Sequence, residues 1–357
     1  MKVAILGDGL ISLTLAKSLA NEGIYVDIFL NRKNKKISPT RTLSISRSNV
    51  EFFDKNILKI GKLLWNINQI EIYSDTIGKE KILNFENKGQ KLFSILKNHE
   101  LYKLLLLKLK KNSLIKFKSK TFEKDLITKQ YKLVFNCDFD NLITKKFFYQ
   151  NLKKNYYSNA HTTIIEHKKL NDNHTAIQIF TSQGPLAFLP ISKSKTSVVF
   201  SIKGAKVKQL DYLIKKYNSK YEIIKIQKPI SFELKSSISR KYIYKNILAF
   251  GDLLHRLHPL AGQGFNMSIR DIREIISIIK SRMSIGLDLD KSILVEFENN
   301  CKHKNFLFSN GIDFIYEFFN FENRLKNGLL SKSVRLLGKS KMSNNFFKKV
   351  ADDGIVY

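Results

Sequence analysis

Two short stretches of this sequence combine residue types and spacings that fit chemistry. The first is Gly7-Asp8-Gly9-Leu10-Ile11-Ser12. It follows an apolar run from Lys2 to Leu6 and precedes helical spacing from Leu13 to Asn21. In a Gly-x-Gly-x-x-Gly turn the first glycine makes the bend and the second lets the backbone approach a pyrophosphate. The third lets helix and strand pack closely. The start of the helix then offers N–H groups and a partial positive charge to the phosphates. Here Gly7 and Gly9 are present, and Ser12, small enough to be tolerated, takes the third place. The acid that binds a ribose at the end of the second strand is missing. Leu30 stands there, with Asp27 in mid-strand and Asn31 just beyond. Taken alone, the turn fits a dinucleotide site or a glycine turn in an ordinary strand–helix–strand unit.

The second stretch, residues 247–271, is more specific. An apolar run delivers Gly251 and Asp252 at its end. A carboxylate there can accept hydrogen bonds from sugar or ribityl hydroxyls, or cap a helix. Pro259-Leu-Ala-Gly-Gln-Gly264 is a loop of mostly small residues whose backbone can reach a flat ring. The helix that follows points its N-terminus at that ring and can stabilise negative charge on it. That is the chemistry a reduced flavin needs, so Gly262, Gln263 and Gly264 are expected to face an isoalloxazine ring. Asn266 holds the loop, touches the flavin or caps the helix.

Positioning these stretches requires a particular order of elements. Lys2–Leu6, the helix and Tyr25–Leu30 form a strand–helix–strand unit of about 30 residues. Residues 51–65 and 98–111 have helical spacing, and Lys132–Asn136 reads as a buried strand. The texture then changes to short β-rich runs at 162–165, 175–180, 186–189 and 197–202, followed by a helix over 207–217. Residues 246–250 return to a buried strand, 266–283 read as a long helix, and the remainder is helical with breaks near Gly328 and Gly338. The expected fold is α/β (α+β): a Rossmann-like FAD-binding domain (1–154 and 241–290), interrupted by a β-sheet substrate domain (155–240). A helical C-terminal region (291–357) completes it. An interrupted domain usually holds its ligand between the two parts.

The 247–271 segment resembles the Gly-Asp motif of the class A FAD-dependent aromatic hydroxylases. Within them it looks like the ubiquinone-biosynthesis hydroxylases, which act on polyprenyl phenols such as 2-octaprenyl-6-methoxyphenol. Arg41-Thr-Leu-Ser-Ile-Ser-Arg-Ser-Asn-Val-Glu-Phe-Phe53 is similar to that family's arginine segment, and Asn98-His-Glu-Leu-Tyr-Lys-Leu104 to its Asn-x-x-Leu helix. Gln178 to Pro190 resembles a stretch of its substrate-domain sheet, and Asn305 to Gly338 its helical tail. The resemblance implies FAD as cofactor, NAD(P)H as electron donor and O2 as co-substrate. It implies a C4a-hydroperoxide that delivers oxygen to a phenol ring, in a monooxygenase of ubiquinone biosynthesis. It implies that Arg41 reaches the pyrophosphate or gates the flavin, against a plain surface arginine. Pro259 belongs to the flavin loop, and His258 acts on a phenol proton or merely packs; His255 is read as structural. Pro185, Leu186, Phe188 and Pro190 lie under the substrate or form an ordinary sheet edge. One motif departs. Asp138 is kept, but Phe139 stands where the family has glycine, and the serine and arginine that follow are missing. A non-catalytic or weakly active FAD-binding subunit of a quinone-biosynthesis assembly is therefore the second reading.

Composition narrows the classes further. The net charge is +31, from 62 Lys+Arg against 31 Asp+Glu, and lysine dominates. Drift in an AT-rich genome or attraction to an anionic membrane surface accounts for it. No nucleic-acid motif accompanies the charge, so nucleic acid is not expected as a partner. The two cysteines, Cys137 and Cys301, have no metal-ligand pattern and imply a reducing compartment, with no metal site. The single tryptophan, Trp65, excludes the Trp-x-Trp motif of flavin halogenases. No run approaches the roughly 20 apolar residues of a spanning helix, so the expected location is cytoplasmic, with contact at the inner face of the membrane as the alternative. The aromatic segment Phe306 to Phe319 can dock on a membrane, on partner subunits, or against its own domain.

Overall fold

A computed structural model of the chain describes residues 1–30, 37–75, 81–86, 91–118, 130–204, 210–257 and 262–325. Val3 to Leu6, Val26 to Phe29 and Leu133 to Asn136 are buried on every position. Strands apolar on both faces belong in the middle of a parallel sheet covered on both sides, and that is where they lie. The six-stranded sheet runs, edge to edge, Ile243–Tyr244, Ile247–Ala249, Leu133–Asn136, Lys2–Leu6, Tyr25–Phe29, Ile115–Lys118. All neighbours are parallel except the first pair. From Lys2–Leu6 the chain first builds outward on one side, then returns to build on the other. The crevice beyond Leu6 and Asn136 is therefore the topological switch point, where open α/β sheets bind ligands. The Leu10–Asn21 helix is covered by the Asn98–Lys110 and Gln263–Ser284 helices.

A carboxylate is buried within this sheet. Asp27 receives Lys118 at 2.7 Å, Lys2 at 2.9 Å and the Tyr131 hydroxyl at 2.6 Å. Burial opposes its ionisation, but these three donors outweigh burial and hold the carboxyl below its ordinary value. Asp27 thus ties three strands together and does not reach out to a ribose.

The second sheet has nine strands. Its main path is His255–Arg256, Ile230–Ser239, Asn151–His167, Lys195–Lys203, Gly184–Pro190, Thr175–Thr181, Gln69–Ser74, Lys81–Glu86, and Ile223–Ile226 pairs with Asn151–His167. Pairing is antiparallel except between Thr175–Thr181 and Gln69–Ser74. The last two strands of the path come from the first segment of the chain, so this sheet draws on residues well before 155. One face packs on the Leu210–Tyr217 helix through Ile165, Leu186, Phe188, Val198 and Phe200. The other face meets the Gln263–Ser284 and Ser292–Leu325 helices, with Phe180 against Met267, Phe308 and Ile312, and Ala160 and Leu234 against Tyr316.

A small third sheet, Thr42–Ser46, Phe93–Lys97 and Trp65–Ile67, lies between them. The helical spacing over 51–65 is only partly used: the helix is Arg47–Asn56. The Asp54 carboxylate accepts from the Ile60 backbone N–H at 2.8 Å and closes a turn after the helix. The chain then enters a short 3-10 turn, Gly61–Leu63, and the Trp65–Ile67 strand.

Candidate active site

The dinucleotide turn has the geometry its glycines imply. Gly7 takes φ +100°, a left-handed conformation that disfavours any side chain. Its N–H donates to the Phe29 carbonyl at 2.9 Å, which closes the turn over the second strand. A Cβ on Gly7 would sit 3.4 Å from that of Asp138. Gly9 is the N-cap of the Leu10–Asn21 helix, and no side chain caps it. A Cβ on Gly9 would meet nothing within 4 Å, so open space lies over the helix start. That is the arrangement a phosphate needs: backbone donors without a capping oxygen, at the positive end of a helix. Ser12 is buried where helix and strand pack.

The second glycine turn closes on the first. Gly251, at φ +64°, lies so near Ile11 that a Cβ would come within 3.0 Å of its methyl. Asp252 follows in a 3-10 turn capped at Phe250, so it caps no helix itself, and its carboxylate is exposed at the crevice. The Cys137 thiol sits between the turns. Burial pushes it up to about 12, an effect that the Asp252 and Asp138 carboxylates reinforce and the Ser12 hydroxyl opposes. Gly7, Ser12, Cys137, Asp138 and Asp252 therefore surround one point at the switch of the sheet.

The start of the Gln263–Ser284 helix is held from a third direction. Gly262 takes φ +64°, and a Cβ there would fall 1.7 Å from Ser44 Oγ and 3.0 Å from its Cβ. The loop is thus pressed onto the Thr42–Ser46 strand. Asn266 locks this contact. Its Oδ1 accepts from the Ser46 N–H at 2.8 Å and from Asn49 Nδ2 at 3.1 Å, and its Nδ2 donates to the Ser44 carbonyl at 3.2 Å and the Gly262 carbonyl at 3.4 Å. Asn266 thus holds Gly262 to the Thr42–Ser46 strand. Among the described residues, nothing lies within 4 Å of a Cβ on Gly264, and the buried Gln263 Oε1 has no hydrogen-bond partner. His258 and Pro259 lie outside the described residues.

The substrate side brings a correction. Side chains alternate across a strand, so Gly184–Pro190 cannot aim all its residues at the cleft. Leu186 and Phe188 point into the core under the Leu210–Tyr217 helix, beside Leu210, Ile214 and Tyr221. Pro190, two residues on, shares that face opposite Thr196. Only Pro185 falls on the other face, opposite Phe180, which packs on Met267. That face turns towards the glycine loops, because Ser197 on it bonds Thr42 Oγ1 at 2.8 Å. Its partly exposed members are Ala187, Leu189, Val199 and Gln178. A substitution series separates the faces. Phe188→Ala is expected to cost about 3–5 kcal/mol of stability with KM unchanged. Ala187→Phe is expected to raise KM with little loss of stability. Denaturant unfolding and steady-state kinetics on the same samples check both.

Other predicted residues find defined places. Arg41 is exposed, with its guanidinium over the Phe232 ring at 5.9 Å. His255 is buried and bonds Asp271 through Nε2 at 2.5 Å, while Asp271 also accepts from Asn305 at 3.0 Å. This chain of contacts fastens the Asp252 segment to both long helices. The segment after Asn136 closes on itself. Asn136 Oδ1 accepts from the Asp138 N–H and from Asn141 Nδ2, Thr144 Oγ1 donates to the Asp138 carbonyl, and Asp138 Oδ1 accepts from the Asp140 N–H. Phe139 is left exposed at its tip. Ser44, Asn49 and Ser197, which hold Gly262, Asn266 and Thr42, carry no motif in the sequence. The polar alternation Thr42, Ser44, Ser46 is the signal that marks a strand with one polar face.

No family model matches the chain. It is 28% identical over 152 residues to the 3-demethoxyubiquinol 3-hydroxylase of Escherichia coli, an alignment covering 40% of this chain and 39% of that protein. It is 23% identical over 276 residues to the ubiquinone biosynthesis monooxygenase COQ6 of Schizosaccharomyces pombe, covering 63% of this chain and 57% of that one. The aligned parts thus span less than two thirds of these relatives. Among solved structures, p-nitrophenol 4-monooxygenase PnpA from Pseudomonas putida superposes with a TM-score of 0.77 over 99% of this chain and 98% of its own, at 12% identity. Klebsiella pneumoniae HpxO, solved with FAD and uric acid, superposes at 0.76 over 99% and 97%, also at 12% identity. In sequence the chain resembles the hydroxylases of ubiquinone biosynthesis, and its α/β architecture is that of PnpA and HpxO.

Proposed function

We propose that this chain is an FAD-dependent monooxygenase that hydroxylates the aromatic ring of a polyprenyl phenol in ubiquinone biosynthesis. One observation carries the reading. Two glycine turns some 240 residues apart, at Gly7–Gly9 and Gly251–Gly264, meet at the switch point, with Gly251 against Ile11 and Gly262 against Ser44. The residues fit the cofactor: an uncapped helix start behind Gly9 for pyrophosphate, an exposed Asp252 for ribityl hydroxyls, and open space at Gly264 for a ring. When bound, FAD supplies electron transfer from NAD(P)H and the activation of O2, which no side chain of this site can provide. The chain's own part is to bind, orient and exclude water. Backbone donors at Leu10–Ser12 take the phosphates. The loop from Gly262, fixed by Asn266, orients the ring. Ala187, Leu189 and Val199 give the phenol an apolar floor, and the sheet shields it from water. The substrate domain of this reading is the second sheet, which also takes Gln69–Ser74, Lys81–Glu86 and His255–Arg256 from outside 155–240, with the ligand between the two sheets. We place the protein in the cytoplasm, at the inner face of the membrane where a polyprenyl tail resides, with quinone-biosynthesis subunits as further partners.

The hydrogen bonds around Asp138 favour a second reading, an FAD-binding subunit with weak or no turnover, because Asn136, Asn141 and the Asp138 backbone bond one another. Purified protein separates the two. Bound FAD with substrate-dependent NAD(P)H oxidation supports the hydroxylase; bound FAD without turnover supports the subunit; colourless protein that refuses FAD rejects both. Asp252→Ala is expected to weaken FAD binding roughly 10- to 100-fold, the loss of a charge-assisted hydrogen bond. Flavin fluorescence titration checks it. Complementation of strains each lacking one ring hydroxylase identifies the position modified.

A further inference from the structure

One face of the second sheet is packed along two flanks, and a single row of residues runs between them. Residues paired across neighbouring strands share a face, and rows two residues apart along a strand are about 7 Å apart. On the face opposite the Leu210–Tyr217 helix, Ala176 and Leu189 pack with Ile67 and Ile95 of the small third sheet, and Ser197 bonds Thr42. Two rows further on, Phe180 packs on Met267 and Phe308, and Ala160 on Tyr316. The row between these flanks is Gln178, Ala187, Val199, Thr162 and Ile230, set by continuous pairing across five strands. From Gln178 to Thr162 it spans about 14 Å at the spacing of strands.

This row holds no charged side chain and two polar ones. Gln178 is engaged with the backbone, its Nε2 donating to the Leu186 carbonyl at 3.1 Å. Thr162 is 4% exposed, and its Oγ1 has no hydrogen-bond partner among the described residues. Its neighbour Thr163, on the other face, donates to the Gln227 carbonyl at 2.6 Å. A buried hydroxyl without a partner is uncommon in native folds and is retained where something outside the chain supplies the bond.

We infer that Thr162 Oγ1 binds the ring oxygen of the aromatic substrate. The inference rests on the proposed hydroxylase function and gives it a residue and an orientation. Val199 and Ala187, apolar and partly exposed, come next along the row and take the face of the ring. Arg41 stands over the Phe232 ring at 5.9 Å, and Phe232 lies one row from Thr162, opposite Ala160, so polar groups gather at this end. At the other end the row continues from Gln178 to Ile72 and Leu83, both apolar. An oxygen end, a ring and a hydrocarbon chain follow one another in the same order in a phenol that carries a prenyl chain. A threonine hydroxyl both donates and accepts, so it can hold such a phenol in its un-ionised form.

Ligand binding to the FAD-loaded full chain, read by the flavin difference spectrum and by calorimetry, tests this with 2-prenylphenol and prenylbenzene, which differ by one oxygen. The wild type is expected to bind the phenol about tenfold more tightly, the worth of one hydrogen bond. Thr162→Val, which has the same shape without the hydroxyl, is expected to bind both alike, and Thr162→Ser to recover the preference. In urea unfolding Thr162→Val should be no less stable than wild type, since the lost hydroxyl leaves no partner behind. A preference unchanged in Thr162→Val overturns the inference, because an ordered water then satisfies the hydroxyl. So does a wild type that binds neither ligand or prefers neither. Loss of stability in Thr162→Val with affinity for both ligands lowered together also overturns it, as the mark of a structural role. The two readings fail separately: absence of flavin colour rejects the cofactor site, whereas calorimetry reads the preference for the phenol with or without flavin.

Discussion

Gly262→Val is expected to give a folded protein that no longer retains FAD. Gly262 is in the left-handed region at φ +64°, where a β-branched residue costs about 1–2 kcal/mol of backbone energy. A larger effect comes from position. The new Cβ would fall 1.7 Å from Ser44 Oγ and 3.0 Å from Ser44 Cβ, so loop and strand must separate. Separation stretches the Asn266 bonds to Ser44 and Ser46 and moves the N-terminus of the Gln263–Ser284 helix. Retention of FAD on gel filtration should fall to background, with FAD affinity weakened at least about 100-fold. The clash has a named partner, which makes a rescue informative. Gly262→Ala/Ser44→Gly removes the overlapping atoms and leaves only the φ strain, so it should bind FAD more tightly than Gly262→Ala alone. Tight FAD binding by Gly262→Val would show that this loop does not face the cofactor.

Asp27→Asn is expected to be the most destabilising substitution in the parallel sheet outside its apolar core. Its carboxylate is 2% exposed and receives Lys2, Lys118 and Tyr131. An amide oxygen still accepts but carries no charge, so the two ammonium groups lose their counter-ion. Those lysines are a third or more exposed and regain water, which moderates the loss. A loss of about 2–3 kcal/mol is expected in urea unfolding. The pH dependence has a definite sign. The folded-state carboxyl titrates below its ordinary value of about 3.9, so its stabilisation is complete above that pH. It is lost as pH falls through the folded value. The gap between wild type and Asp27→Asn should be constant from pH 5 to 7 and shrink as the solution is acidified below about 4. A gap that widens on acidification would contradict the assignment. FAD affinity near neutrality should change little, because Asp27 lies within the sheet rather than at the crevice.

Much of this molecule was legible from short-range pattern. Runs buried on both faces named the central strands Lys2–Leu6, Tyr25–Phe29 and Leu133–Asn136. The Gly7, Gly9 and Gly262 positions were legible because a left-handed turn or an open helix start restricts side chains at those places. The Gly-Asp ending of the 247–250 run gave Asp252 for the same local reason. Where a property depends on neighbours remote in the chain, pattern gave less. A strand's period shows that its two faces differ, but only the packing partner decides which face is which. Pattern alone therefore puts Leu186 and Phe188 with the substrate, whereas they pack under the Leu210–Tyr217 helix and Ala187 and Val199 lie on the opposite face. Asp27 was visible as an acid in mid-strand, yet its partners Lys118 and Tyr131 lie some 90 and 104 positions away.

The sequence by itself determined the strand–turn–helix start, the return to the same sheet after a β-rich insert, and the backbone conformation of both glycine turns. These follow from backbone conformation and burial, which neighbouring residues dictate. Tertiary structure alone decided that Gly251 rests on Ile11 and Gly262 on Ser44, that Asn266 is a fastener, and which face of the second sheet looks into the cleft. Each of those is a contact between segments brought together by packing of whole elements, and no local rule of spacing contains it.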